Sequence, residues 1–150
     1  MKEICFYKTE DAFGCFSNFS SHAIFLHDKI WRTTEHFFQA QKFNELELRE
    51  RIRLIKKASD AAIEGRRRDL PLRLDWEAIK NDVMRQAIFA KFTQHPDLKA
   101  TLLSTGDLTL IEHTENDSYW ADGGDGSGKN MLGIILMEVR EKLRGSTSIS

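Results

Sequence analysis

The sequence contains little cysteine, and none of it is arranged as in a metal centre. Cys5 and Cys15 are the only two cysteines among 150 residues, and two cysteines do not form a disulfide framework. No Cys-x-x-Cys spacing is present, and the five histidines are scattered without a ligand pattern. We therefore expect no structural zinc site, and the sequence predicts no cofactor.

The chain also lacks a long apolar run. No segment approaches the roughly 20 consecutive apolar residues that a membrane-spanning helix needs. Lys2 and Glu3 are followed at once by a strand-like segment rather than by the apolar region of a signal peptide. These absences argue against a membrane protein and predict a cytoplasmic location.

An excess of charge of either sign is missing too. The 22 Lys and Arg residues nearly balance the 23 Asp and Glu residues, giving a formal net charge of -1 at pH 7. Non-specific binding to nucleic acid depends on a strongly basic surface, so we do not expect it, although recognition of one modified nucleotide stays possible. The length fits one globular domain with a real core.

The order of predicted elements indicates an α+β fold, a single mostly helical domain with a small β-sheet. A strand is predicted at 4–7, followed by a hairpin over 23–31 that turns at His27-Asp28-Lys29. Helices are predicted at 35–43 with Thr33 or Thr34 as cap, at 45–56, from a Ser59 cap to Gly65, at 76–92 and at 95–104. A strand at 108–112, a Gly-rich loop and a helix from 131 to about 143 complete a domain of residues 1–144, and 145–150 form a flexible C-terminal tail.

Three polar residues share one face of the predicted helix 35–43. Glu35, Gln39 and Lys42 are spaced i, i+4 and i+7, which places them on one side of an α-helix. Glu35 lies in the first turn, where the helix dipole favours an anion. Two interpretations remain open: a capped surface helix with a carboxylate–lysine stripe, or a carboxylate, an amide and an ammonium that face one cavity.

The strand predicted at 108–112 ends in a carboxylate. Leu108, Leu110 and Glu112 alternate onto the same face, and the two leucines mark that face as buried. A buried carboxylate must be paired, protonated or face a cavity, and burial raises its pKa. Glu112 is therefore a candidate acid or base. The alternative is a strand that ends at Ile111 and leaves Glu112 in solvent.

Residues 116–130 form a loop rich in glycine, acids and aromatic residues. It contains Gly123-x-x-x-x-Gly128-Lys129, the spacing of a phosphate-binding loop. Asn130 stands where Ser or Thr would hold magnesium. The approach to the motif, Asp117 to Asp122, is polar and aromatic rather than a buried parallel strand, and Asp122 and Asp125 would repel phosphate. We therefore reject an NTPase site. Asn130 is instead predicted to cap the last helix, whose N-terminus can accept an anion, and Gly133 indicates close packing or close ligand approach.

Two further features have both a structural and a functional interpretation. Trp120 is of a type that is usually buried in the core, but in a Gly-rich loop it is suited to stacking on a base. Arg66-Arg67-Arg68 is of a type that is usually a solvated charge run, but arginine also forms two-pronged contacts with phosphate.

Taken in order along the chain, these motifs resemble the YbiA-like, or NADAR, family. The resemblance extends from about Phe6 to Leu143, nearly the whole chain. Two positions depart from the pattern: Thr33 stands where many relatives have Pro, and Ala121 where Gly commonly follows the Trp. The matching motifs are Ser17-Asn18-Phe19, Trp31, Thr34-Glu35-His36-Phe37-Phe38-Gln39-Ala40-Gln41-Lys42-Phe43, Gly65-Arg66, Arg73-Leu74-Asp75-Trp76, Met84, Lys91-Phe92, Leu103-x-Thr105-Gly106-Asp107, Leu110-Ile111-Glu112, Asp117-x-x-Trp120, Gly128-x-Asn130-x-x-Gly133 and Leu136-Met137-Glu138-x-Arg140.

The resemblance implies an α+β domain with N-glycosidase chemistry, cleaving the bond between a ribose and a base-like nitrogen. One branch of the family hydrolyses ribosylaminopyrimidine phosphates of riboflavin biosynthesis to ribose 5-phosphate and the base. Another branch removes ADP-ribose from guanine in DNA. The matching positions imply catalytic roles for Glu35, Lys42, Glu112 and Asp117. The implied substrate-binding residues are Asn18, Gln39, Arg66, Trp76, Trp120 and Asn130.

The chemistry of that bond suggests roles for the implied residues. Departure of the base leaves an oxocarbenium-like sugar, which a carboxylate can stabilise while an acid protonates the leaving group. Glu35 or Glu112 would activate water or stabilise the cation, and Asp117 is a further acid or base. Trp120 would stack on the base, and Lys42 with Arg66 would neutralise phosphate. In a rival scheme Lys42 attacks an opened ribose and forms a Schiff base, which requires a lowered lysine pKa.

Three functions therefore compete. The leading hypothesis is an N-glycosidase acting on a small ribosylaminopyrimidine phosphate, because a near-neutral chain without a basic arm fits a small substrate better than duplex DNA. The second is a hydrolase of ADP-ribosylated guanine in DNA. The third is a non-catalytic module that binds ADP-ribose or a related nucleotide.

Overall fold

The computed structural model describes residues 2–149, with side chains through Gly145. Within them the strands are β1 (Glu3–Phe6), β2 (Ile24–Leu26), β3 (Lys29–Trp31) and β4 (Thr109–Glu112). The helices are α1 (Thr34–Ala40), α2 (Leu46–Arg53), α3 (Ala58–Gly65), α4 (Trp76–Gln94), α5 (Pro96–Ser104) and α6 (Met131–Ile149), with a 3-10 turn at Gly14–Phe16. This is a mostly helical α+β chain, as predicted. No helix among the described residues is long and apolar enough to cross a membrane.

Backbone packing divides the chain into two compact units. The terminal unit comprises the chain up to Ser17 and from Phe92 onward, and the central unit comprises Asn18–Lys91. The strands do not form the single small sheet that the sequence suggested. β1 and β4 form a parallel pair in the terminal unit, and β2 and β3 form an antiparallel pair in the central unit.

The terminal unit is built on the β1–β4 pair. Phe6 is aligned with Glu112, and the side chain of Phe6 packs edge-on against Phe16 with ring centroids 5.7 Å apart. Helix α6 approaches β4 closely because Gly133 has no side chain: a Cβ there would lie 2.0 Å from the Leu110 carbonyl oxygen. The predicted close packing at Gly133 is confirmed. Helix α6 continues to Ile149, beyond the predicted end near Leu143. Ser150, the last residue of the predicted flexible tail, lies outside the described residues.

The central unit begins with a tight hairpin. His27 and Asp28 both have positive φ, 54° and 62°, which is the backbone of a two-residue turn that matches strand twist. Trp31 then packs edge-on against Phe37 of α1 at 5.3 Å. The hairpin and its turn are therefore where the sequence predicted them.

Helix caps in the central unit differ in part from the prediction. Thr33, rather than Thr34, caps α1, because its hydroxyl accepts a hydrogen bond from the His36 N–H at 3.1 Å. The predicted Ser59 cap is wrong, since Lys57 precedes α3 and gives no side-chain cap. Gly65 is the last residue of α3 itself, and Arg66 after it has a right-handed backbone conformation. A glycine is therefore required at position 65 because a side chain would not fit, and not because the backbone turns left-handed.

Candidate functional site

The polar face predicted on α1 is buried within the central unit. Glu35 is 6% exposed, Gln39 2% and Lys42 9%. The interpretation as a surface helix is therefore wrong. Buried charged and amide groups need partners, because desolvation without compensation costs several kcal/mol. Their surroundings decide what they can do.

Gln39 holds the carboxylate of Glu35. Its Nε2 donates to Glu35 Oε2 at 2.6 Å, one helical turn earlier. Among the described residues Gln39 Oε1 is buried without a hydrogen-bond partner. It lies against the backbone of α3, where a Cβ on Gly65 would come within 2.1 Å of it. Gly65 therefore lets α3 approach α1 closely enough to confine the Gln39 amide.

Lys42 is a buried amine with a lowered pKa. Its Nζ lies 3.4 Å from the Gly65 carbonyl oxygen, to which it donates, and 5.8 Å from the centre of the Phe38 ring. Burial is the main reason that the pKa of Lys42 falls from 10.5 to about 8, and the positive charges of Arg66 and Arg68 lower it further. The carboxylate of Glu35 acts in the opposite direction and favours the ammonium.

This pKa gives Lys42 a reactivity that an ordinary lysine lacks. With a pKa of about 8, roughly a tenth of the side chain is the neutral amine at pH 7. Neutral lysine is a nucleophile toward carbonyl carbon and imines, whereas the ammonium is not. The rival scheme required a depressed lysine pKa, and Lys42 meets that requirement.

The arginine run after α3 divides into paired and available side chains. Arg67 forms ion pairs with Glu64 at 3.0 Å and with Asp69 at 2.6 Å. The Arg66 side chain is exposed and has no ion-pair partner among the described residues. The positive charge of Arg66 lowers the pKa of Lys42, which places the two groups near each other. Contact of Arg66 with a phosphate beside the α1 face stays a prediction.

Asn18 fastens the start of α1. Its Oδ1 accepts from the Thr34 hydroxyl at 2.8 Å, and its backbone oxygen accepts from the Glu35 N–H at 3.2 Å. Its Nδ2 lies 3.4 Å from the Met84 sulfur. These contacts make Asn18 a positioning residue for Glu35, and direct substrate contact by Asn18 stays a prediction.

Trp76 occupies a core position. It is 5% exposed, and its ring packs edge-on against Phe38 with centroids 5.0 Å apart. Phe38 is the same ring that lies beneath Lys42. Trp76 therefore supports the apolar surroundings of Lys42, and its predicted contact with substrate is not tested.

The second group of candidates lies in the terminal unit. Strand β4 includes Glu112, paired with Phe6, so the alternative in which the strand stops at Ile111 is wrong. Glu112 is half-buried. Its backbone N–H donates to Asn130 Oδ1 at 3.0 Å, which ties the end of β4 to the start of α6.

Asn130 occupies the N-cap position of α6, since its backbone carbonyl accepts from the Ile134 N–H at 3.0 Å. Its side chain bonds to β4 instead of to the helix: Nδ2 donates to the Leu110 carbonyl at 2.9 Å, and its φ is 52°. The first N–H groups of α6 are also taken: Met131 donates to Tyr119 O at 3.0 Å and Leu132 to Trp120 O at 3.1 Å. The predicted anion site at this helix N-terminus is therefore closed by the loop itself.

The carboxylate of Asp117 organises the aromatic part of the loop. Its Oδ1 accepts from the backbone N–H groups of Tyr119 and Trp120, both at 2.8 Å. The Trp120 ring is half-buried and stands edge-on to Tyr119 with centroids 4.9 Å apart. Asp117 thus fixes the backbone at Trp120, and contacts of the two residues with substrate stay a prediction.

The glycine-rich stretch is not a phosphate cradle. A phosphate-binding loop presents free backbone N–H groups, but Gly124 donates to Asp122 Oδ1 at 2.8 Å and Ser127 to Asp125 Oδ1 at 2.9 Å. The loop carries its own anions in place of a ligand. Rejection of an NTPase site is consistent with this geometry.

Two polar pairs were missed in the sequence. Lys91 is fully buried, and its Nζ donates to Ser20 Oγ at 2.7 Å. The signal was present, since Met84, Ile88 and Lys91 follow one buried stripe of α4 and a lysine in that stripe must be paired. His113 Nδ1 lies 2.7 Å from Asp122 Oδ2, and this hydrogen bond raises the pKa of His113. No local spacing in the sequence predicts the His113–Asp122 pair.

The structure therefore groups the predicted residues within each unit. Asn18, Glu35, Gln39, Lys42, Arg66 and Trp76 belong to the central unit, and Glu112, Asp117, Trp120 and Asn130 belong to the terminal unit. That the two groups form one active site stays a prediction.

Comparison with known proteins places the chain in a family. A family model described as "NADAR domain" matches residues 5–144. The chain is 54% identical over 140 residues to "N-glycosidase YbiA" of Escherichia coli (strain K12), covering 93% of this chain and 88% of that protein. It is 41% identical over 162 residues to the maize "Riboflavin biosynthesis protein PYRR, chloroplastic", covering 98% of this chain and 26% of that protein.

Structural comparison agrees. The NMR structure of the E. coli protein YbiA matches with a TM-score of 0.91 at 51% identity, covering 97% of this chain and 87% of that one. The predicted α+β, YbiA-like fold is therefore confirmed. The chain belongs to the NADAR domain family.

Proposed function

We propose that this chain is an enzyme, a hydrolase that cleaves N-glycosyl bonds, and that it acts on a small ribosylaminopyrimidine phosphate. The observation that carries the proposal is the buried Glu35–Gln39–Lys42 face with its lowered lysine pKa. Buried groups with perturbed pKa values are concentrated at active sites. A relative at 54% identity is named an N-glycosidase, and one at 41% is named for riboflavin biosynthesis.

The proposed substrate fits the charges around α1. A sugar phosphate needs cationic partners, and Arg66 is exposed beside Lys42 without an ion-pair partner among the described residues. Arginine is well suited to a phosphate because its fork can donate two parallel hydrogen bonds. The formal net charge of -1 favours this small anion over non-specific contacts with duplex DNA.

Lys42 can open the reaction as a nucleophile. A ribosylamine opens to an imine between sugar C1 and the amino nitrogen of the base. The neutral Lys42 amine adds to C1, a proton moves to the base nitrogen, and that nitrogen leaves as a free amine while Lys42 keeps the sugar as an imine. Water then adds to C1 of the lysine imine, the C1–Nζ bond breaks, and ribose phosphate leaves while the Lys42 amine is regenerated.

Glu35 is the proton carrier of this scheme. Its carboxylate is held by Gln39 at 2.6 Å and interacts electrostatically with Lys42. It can accept the proton that Lys42 loses on attack and return it to the departing nitrogen. In a direct water attack, the same carboxylate would activate the water or stabilise the oxocarbenium-like sugar.

Release of ribose 5-phosphate by the purified protein tests the function. We expect turnover of a ribosylaminopyrimidine phosphate, and a loss of at least about a hundredfold in kcat for Glu35→Gln. Glu47→Gln, in the exposed first turn of α2, is the matched control and should keep full activity. Absence of ribose 5-phosphate with wild-type protein would contradict the proposal.

The chemical route is tested separately. Borohydride added during turnover should trap a covalent sugar adduct on Lys42 and none in Lys42→Met, with Lys56→Met as the exposed control. Activity should rise as pH increases through about 8, since the neutral amine then accumulates. Turnover without an adduct would overturn the Schiff-base route and leave direct water attack.

The same assays separate the alternatives. Conversion of ADP-ribosylated DNA to plain DNA, without turnover of the small substrate, would identify a hydrolase of ADP-ribosylguanine. Tight binding of ADP-ribose by calorimetry with no product from either substrate would identify a binding module.

A further inference from the structure

A pocket lies in the central unit, on a different side of α1 from Glu35 and Lys42. Its volume is about 180 Å³, which is ample for a phosphate-sized group. The residues that line it come from the hairpin, the end of α1 and the first turns of α2. They are His27, Lys29, Trp31, Gln41, Leu46, Arg49 and Glu50.

Helical spacing separates this pocket from the proposed catalytic face. Trp31 and His27 contact the Phe37 ring at 5.3 and 5.1 Å, and Gln41 follows Phe37 by one turn. Phe37 and Gln41 thus point to one side of α1, and Glu35 with Lys42 to the other. The pocket is not a part of the catalytic face.

The guanidinium of Arg49 lines this pocket in a fixed orientation. Its Nε donates to the Phe43 carbonyl at 2.6 Å, which fixes the plane of the group. Among the described residues its two terminal nitrogens have no hydrogen-bond partner. A fixed, half-buried guanidinium with two available donors matches the two oxygens of a carboxylate or phosphate.

Gln41 supplies a second polar group at the wall of the pocket. The residue is 4% exposed, and its side-chain amide makes no hydrogen bond within the described residues. Since Gln41 lines the pocket, a ligand or water there would complete its hydrogen bonding.

The charge around the pocket is positive. The Glu50 carboxylate is already held by Lys29 at 3.0 Å and by a hydrogen bond from Arg53 Nε at 2.9 Å. Lys29 and Arg53 together carry two positive charges against the single negative charge of Glu50, so this cluster is net positive. Arg49 adds a further positive charge. The nearby positive charge of Arg73 lowers the pKa of Arg49, beyond the larger effect of burial, and the Glu45 carboxylate acts in the opposite direction.

We propose that this pocket binds a small oxyanion, a phosphate or carboxylate head group, between the Arg49 guanidinium and the Gln41 amide, with Trp31 as its wall. The site is separate from the catalytic face and does not depend on the proposed reaction.

Titration with inorganic phosphate, and in parallel with acetate, tests the proposal at constant ionic strength with chloride as the baseline. The readout is the two-dimensional NMR spectrum of the full chain, through the Trp31 indole N–H and the Gln41 side-chain amide. We expect both signals to shift saturably with at least one anion. The anion that binds more tightly identifies the head group.

Matched variants decide whether Arg49 is responsible. Arg49→Gln should weaken binding by at least about tenfold, and Arg49→Lys should weaken it less because it keeps the charge but loses the fork. Arg51→Gln is the control, since Arg51 pairs with Glu64 at 3.1 Å and does not line the pocket. If Arg49→Gln does not fold, Gln41→Leu takes its place with the same expected loss. No shift with either anion, or an affinity in the Arg49→Gln or Gln41→Leu variant as high as that of the wild-type protein, would overturn the proposal.

Discussion

At the scale of single residues, the central feature is a lysine whose environment disfavours its charge. The pKa of Lys42 is lowered to about 8, first by burial and then by Arg66 and Arg68. The net effect of the surroundings on the ammonium is unfavourable even with Glu35 nearby. Such a group is useful for chemistry and costly for folding, as is common where function and stability conflict.

We therefore expect Lys42→Met to raise the stability of the fold by about 1–3 kcal/mol at pH 7 while abolishing activity. The folded-state pKa lies below the ordinary 10.5, so between about 8 and 10.5 the unfolded chain holds a proton that the folded chain has lost. Wild-type stability should gain from this group as pH rises through that window, and the variant should lack the gain. Urea unfolding at pH 7 and pH 10 measures both. A variant less stable than wild type at pH 7 would contradict this account.

Gln39 illustrates a residue that acts through another. Replacing it by Leu removes the 2.6 Å hydrogen bond to Glu35, so the carboxylate is held less firmly. We expect Gln39→Leu to lower kcat by about ten- to a hundredfold with a smaller change in KM, and to shift the acid limb of the pH–rate profile upward. Gln39→Glu should shift that limb further, since two acids then share one site. An unchanged pH profile would show that Gln39 does not control Glu35.

At the scale of elements, the distance between α1 and α3 is set by one glycine. Gly65 ends α3 against Gln39, and its carbonyl accepts from Lys42. The sequence suggested an ordinary helix-ending glycine at this position. The structure shows instead that the absence of a side chain lets the two helices approach.

Gly65→Ala should destabilise the fold by about 1–3 kcal/mol, because the new Cβ would overlap the Gln39 side chain at 2.1 Å. Activity should fall as well, since the displaced amide is the one that holds Glu35. Gly145→Ala, where an added Cβ meets nothing within 4 Å, is the matched control and should not destabilise. Thermal unfolding of both variants and of Gly65→Ala/Gln39→Ala checks the contact: the double variant should lose less stability than the sum of its parts.

The ends of the helices and strands show which local sequence features are sufficient to predict a structural element. The hairpin turn at His27-Asp28 and the Thr33 cap are local features, and both could be predicted. The role of Asn130 could not, because its side chain bonds Leu110 and Glu112, about twenty residues earlier. A cap-like residue before a helix has more than one possible partner, and only packing selects among them.

For the molecule as a whole, the near-neutral charge argues against non-specific contacts with nucleic acid. Non-specific binding to duplex DNA is driven by basic residues that displace the counterions of the DNA. A protein with a formal net charge of -1 is poorly suited to this. We expect no binding of unmodified duplex DNA by fluorescence anisotropy at micromolar protein and physiological salt. Arg66→Gln should weaken binding of the phosphorylated substrate and leave the DNA result unchanged. Submicromolar, strongly salt-dependent binding of plain duplex would favour the DNA-directed alternative.

The family and the fold class followed from motifs in order along the chain, as the TM-score of 0.91 to E. coli YbiA bears out. The strand arrangement did not follow, because the parallel pairing of β1 with β4 joins segments about a hundred residues apart. Short strands carry no local signal of their partners, whereas a hairpin is specified by its own turn.

That Glu35, Gln39 and Lys42 share one side of α1 follows from their spacing alone, because an α-helix has 3.6 residues per turn. That the Gly-rich loop is not a phosphate cradle likewise follows from the sequence, because the chemistry of Asp122 and Asp125 is local. The burial of the α1 face and the Lys42 pKa of about 8, in contrast, arise only when the chain folds. Burial and the nearby arginines come from segments beyond the helix, and desolvation depends on everything that surrounds a group rather than on its own spacing.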